Sequence, residues 1–67
     1  MSPSESRLLM LYMQAGMPKR QAKAKLANML SEARRRFGGA YSTELVCARV
    51  LDHLARIQKG EMTNAFE

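Results

Sequence analysis

An all-α fold follows from three observations: three stretches of helical periodicity, glycine or proline at each break between them, and too few β-branched residues for strands. Val46, Val50 and Ile57 fall at helical spacings instead of alternating, which leaves no strand pattern to compete. The first helix is expected over about 3–15. Ser2 is placed to cap it, Pro3 suits the first helical position, and Glu5 is spaced to reach back and complete a capping box. Gly16 is the expected stop, because glycine takes the left-handed conformation beyond a helix end at least cost. The second helix is expected over 18–37: it opens at Pro18, contains no glycine or proline from Lys19 to Phe37, and ends at Gly38-Gly39. The third is expected over about 43–59, with Ser42 as cap, Tyr41 and Val46 as a hydrophobic staple, and Gly60 as stop.

The chain has 67 residues, half or less of the roughly 100–200 of a typical domain, so a single small domain over 1–60 is expected. Residues 61–67 have little to bury and are expected to be frayed or disordered. Apolar residues make up 46% of the chain, too many for a disordered basic tail. A domain this small buries only about 60% of its unfolded surface, so self-association into a homodimeric helical bundle is the expected way to complete a core. With Cys47 as the sole cysteine there is no internal disulfide, which suits a reducing cytoplasm. The longest apolar run, Leu8 to Met13, falls far short of the roughly 20 residues of a membrane span, and only Arg7 precedes it where a signal peptide would carry its basic start. A cytoplasmic protein without membrane association is expected.

Helical spacing sorts the side chains into faces. On helix 2, Ala22, Leu26, Met29, Leu30, Ala33 and Phe37 fall within an arc of roughly 100°. Val46, Cys47, Val50, Leu51, Leu54 and Ile57 do the same on helix 3 over roughly 140°. These stripes predict that helices 2 and 3 pair as an antiparallel hairpin across their short connection. Helix 1 is apolar well round its cylinder: Leu8, Leu11, Tyr12 and Ala15 form one face, while Leu9, Met10 and Met13 extend it. One hairpin does not cover all of that, so the surplus is expected to meet a second copy or another partner. The methionines, Met10 and Met13 especially, suit a surface that repacks against varied shapes. The residues expected in the core or dimer interface are therefore Leu8, Leu9, Leu11, Tyr12, Leu26, Leu30, Phe37, Val50, Leu51 and Leu54.

The net charge of +5 is concentrated in one place. Helix 2 holds seven basic residues against Glu32 alone, and so carries +6, while the rest of the chain sums to −1. Arg20, Lys23 and Arg34 flank one side of its seam, and Lys25 and Arg36 the other. With Arg35 they form a basic set able to attract phosphates or carboxylates.

Catalytic patterns are missing. A zinc site needs about four ligands, and one cysteine with one histidine falls short, so no metal and no cofactor is expected. Cys47 and His53 point to different faces of one helix, and Gly38-Gly39 lacks the strand before and the Gly-Lys-Ser/Thr pattern of a phosphate loop. Neither enzyme activity nor a small-molecule substrate is expected. A helix-turn-helix reader is disfavoured because helix 2 runs uninterrupted where the turn would fall. In size and layout, without any shared motif, the chain resembles the small regulatory proteins encoded by phages and mobile elements. The expected function is that of a non-enzymatic regulator: a homodimer that binds, and most simply inhibits, one or more host or cellular proteins. Its partner-binding residues are then Arg20, Lys23, Arg34, Arg35, Met10 and Met13. The alternative is a nucleic-acid-binding regulator that presents helix 18–37 as a basic rod.

Overall fold

The computed structural model describes residues 1–60; the expectation for 61–67 lies outside the described residues. Three helices and no strand are found among them: α1 (Pro3–Gln14), α2 (Lys19–Phe37) and α3 (Thr43–Gln58). Local chemistry sets these limits. The Ser2 hydroxyl accepts from the Glu5 amide at 3.3 Å while the Glu5 carboxylate accepts from the Ser2 amide at 3.2 Å, so the capping box is complete. Ser42 caps α3 through the Leu45 amide at 3.2 Å. α1 ends as the Ala15 amide donates to the Leu11 carbonyl at 3.0 Å and Gly16 turns to φ 105°. Gly38, at φ 62° and ψ −142°, breaks α2 in a backbone conformation that a side chain would strain.

The packing order differs from the sequence expectation. α1 packs against both other helices, most extensively against α3, while α2 and α3 meet each other least. The apolar breadth of α1 accounts for this, because a helix with two apolar faces has one for each neighbour. Leu8 is wholly buried beside Leu9 on α1, Ala22 and Leu26 on α2, and Cys47 on α3. Removing the Leu8 side chain beyond Cβ therefore costs about 2–5 kcal/mol. Around these five lie the half-buried Tyr12, Met17, Met29, Leu30, Val50, Leu51 and Leu54.

One placement is made definite and one is corrected. Leu9, expected in the core or in a dimer interface on the wide apolar surface of helix 1, is buried inside its own chain, covered by the neighbours of α1. Phe37, assigned to the core seam, is 54% exposed. The seam of α2 loses cover steadily along its length: Ala22 and Leu26 are buried, Met29, Leu30 and Ala33 half-buried, Phe37 open. α2 is seven residues longer than α1, an excess of about 10 Å, so α1 covers only part of it.

A polar contact fixes the first turn of α1 to that of α3. The Ser4 amide, one of the helix-start donors without an intrahelical acceptor, donates to the Glu44 carboxylate at 2.8 Å, and the Ser4 hydroxyl donates to the same carboxylate. These bonds, the hydroxyl's first, hold the Glu44 carboxyl below its ordinary value of 4.5. Because the folded state favours the ionised form, Glu44 contributes its stability in full above that unfolded value, and the contribution is lost as pH falls through the depressed folded one. The thermal midpoint of Glu44→Gln should therefore fall less than that of wild type on acidification from about pH 5 to about pH 3. Parallel acid limbs in the two proteins would contradict this link.

Candidate functional site

On one side of the bundle, the facing sides of α2 and α3 form an open groove of about 360 Å³. Met29, Glu32, Ala33, Arg36 and Phe37 make the α2 wall; their spacing of three and four puts all five on one face. Leu45, Val46, Arg49, Val50 and His53 make the α3 wall on the same rule. Tyr41, in the connection, closes one end with its ring edge-on to Phe37, centroids 5.4 Å apart and planes at 87°. The floor and walls are mainly apolar, yet Phe37, Tyr41 and Leu45 are all exposed.

Charge lies along the rim. Glu32 accepts from Arg35 at 2.7 Å and from Arg36 at 2.8 Å, and these bonds, Arg35's first, hold its carboxyl below the usual range. Arg49, on the opposite wall, has no ion pair among the described residues. His53 adds an unusual feature, since its Nδ1 is buried without a hydrogen-bond partner. A buried polar atom left unpaired costs about 1–3 kcal/mol, which stability alone does not explain.

The expected binding residues occupy two other regions. Arg20, Lys23, Arg34 and Arg35 are exposed along α2, and only Arg35 of the four is ion-paired among the described residues. Lys19, Arg20 and Lys23 crowd the start of α2, which has neither a side-chain cap nor an acid in its first turn, so they oppose the helix dipole. Lys25 lies over the Tyr12 ring at 5.6 Å, and Tyr12 bonds weakly to the Met29 sulfur at 3.9 Å. Met10 and Met13 are exposed on α1, Met10 at 59%. Met10 and Leu11 border a second hollow between α1 and α3, with Gln14, Leu51, Leu54 and Ala55.

Sequence reasoning missed Tyr41, Leu45, Arg49 and His53 as site residues. The spacing Leu45, Arg49, His53 was the available signal, but its mixed chemistry reads as an ordinary solvent face. Cys47 lies in the core, where burial, and after it the charges of Glu5 and Glu44, push its thiol up and away from the reactive thiolate. Among the described residues, no group of three or more His, Cys, Asp or Glu is placed to hold a metal, and no helix is long and apolar enough to cross a membrane. Comparison with protein-family models, with curated proteins and with solved structures finds no match to the chain.

If the unpaired His53 nitrogen is a cost to the fold, His53→Leu should stabilise the protein by about 1 kcal/mol. Denaturant unfolding measures this. A lower midpoint would show that the imidazole contributes to stability.

Proposed function

We propose that this chain is a small non-enzymatic regulatory protein of the cytoplasm that binds other proteins and inhibits them by occupying a surface they need. The observation that carries this reading is the groove between α2 and α3, apolar within and exposing Phe37, Tyr41 and Leu45 on a chain short of core. Aromatic and aliphatic anchors beside a guanidinium are the composition from which binding hot spots are built. Self-association supports the same picture. The hollow bordered by Met10, Leu11, Leu51 and Leu54 offers a second apolar surface, and an isologous dimer through it leaves the groove free.

One observation favours the nucleic-acid reading: Lys19, Arg20 and Lys23 at an uncapped helix start, where backbone amides and positive side chains together attract phosphate. The apolar groove has no role in that reading, which is why it ranks second.

Capture from nuclease-treated cytoplasmic extract separates the two. Immobilised wild type should retain a discrete set of proteins, a combined Arg20, Lys23 and Arg34 to Ala variant should retain the same set more weakly, and Phe37→Ser with Leu45→Ser should lose it. Disappearance of all retained material after nuclease, or loss through the basic variant alone, would contradict the proposal.

A further inference from the structure

We infer that the solvent face of α2 is a second binding surface, one that lies across the major groove of double-stranded DNA and holds its phosphates. The inference goes beyond the protein-binding reading and does not rest on it, because this face and the apolar groove lie on different sides of α2. Positions 20, 24, 27, 31 and 34 advance by four and three in turn, so Arg20, Ala24, Ala27, Ser31 and Arg34 share one side of the helix, with Lys23 beside them. All six are exposed, on the side away from the buried Ala22 and Leu26. Glu32, the one acid of α2, stands instead on the groove wall, where Arg35 and Arg36 engage it.

The charge on this face is costly to keep. Lys19, Arg20 and Lys23 stand at the positive end of the helix dipole, with no acid in the first turn and no side-chain cap to offset them. Lys23 follows Arg20 by three residues and Lys19 by four, spacings at which like charges repel. Arg20, Lys23 and Arg34 form no ion pair among the described residues. A polyanion laid on the face relieves all of this.

The residues between the basic ends select which polyanion. Ala24, Ala27 and Ser31 offer no aromatic or large aliphatic anchor for a protein partner, and nothing on which the bases of a single strand would stack. A helix lying on a membrane buries its apolar face there, whereas α2 turns its own to the core. Duplex phosphates remain. Arg20 and Arg34 are fourteen residues apart, about 21 Å along the axis, so they reach the phosphate rows on both sides of a B-form major groove about 12 Å wide. The small side chains between them let the helix backbone approach the groove floor. The deep, narrow major groove of A-form RNA does not admit a helix in this way.

The test titrates the full chain into a fluorescent DNA duplex of about 20 base pairs and follows anisotropy. With one phosphate each for Lys19, Arg20, Lys23 and Arg34, affinity should fall about a hundredfold between about 50 and about 200 mM salt, alike for unrelated sequences. Arg20→Ala and Ala27→Glu should each weaken binding several-fold, and Arg56→Ala, which removes the same charge from α3, about twofold at most. An RNA duplex of the same sequence should bind at least about tenfold more weakly. In a methyl-labelled sample, DNA should shift Ala24 and Ala27 and leave Leu45 and Val50 in place. No binding at about 50 mM salt up to about 100 μM protein, or equal losses from Arg20→Ala and Arg56→Ala, would overturn the assignment of this face. Equal affinity for the RNA duplex would overturn the choice of DNA, and shifts centred on Leu45 and Val50 would move the contact to the groove and overturn the inference.

Discussion

A helix of 12 residues has to cover one of 19 and one of 16, and the rest of the architecture depends on that mismatch. At 1.5 Å per residue, α1 is about 18 Å long against about 29 Å and about 24 Å for its neighbours. Leu8 and Leu9 meet both of them where they come within reach, and the buried core is accordingly only five residues. On their other side α2 and α3 retain apolar side chains with nothing laid over them, and the groove is the side of the α2–α3 pair that α1 leaves uncovered.

Polar contacts reinforce the arrangement. Glu44 joins two helix starts with one carboxylate, satisfying an amide of α1 that the helix itself leaves unbonded. The other described carboxylates are likewise engaged locally, whereas three of the eleven basic residues, Arg35, Arg36 and Arg56, are in ion pairs among the described residues. The excess positive charge is thus left on the surface. Exposed pairs such as Arg56 with Asp52 contribute little to stability, so the consequence of this distribution lies in which partners the surface attracts.

Much of the local structure was legible in the sequence because its causes are local. Ser2, Pro3 and Glu5 state a helix start within four residues, Ser42 does so again, and Gly16 and Gly38 state the stops; the helix limits differ from expectation by a residue at most. What the periodicity left open is which face meets which helix. A stripe on α2 and a stripe on α3 fit each other on paper, yet both helices pack more extensively on α1, whose broad apolar surface serves two neighbours, and parts of the two stripes face each other only across the open groove. The burial of Leu9 within its own chain and the exposure of Phe37 follow from that single difference. The site was less legible still. Leu45, Arg49 and His53 share a face whose chemistry is mixed, and the Ser4 to Glu44 contact spans forty residues, a separation at which helical periodicity says nothing.

On the proposed reading, copies of the chain associate through the hollow at Met10 and Leu11 and leave the groove open to solvent, and solvent paramagnetic relaxation measures this most directly. With a soluble gadolinium chelate and rising protein concentration, the methyls of Met10, Leu51 and Leu54 should become protected as copies associate. Those of Met29, Leu45 and Val50 should stay accessible throughout. Protection of the groove methyls while Met10 stays exposed would contradict the account, because a second copy would then occupy the groove.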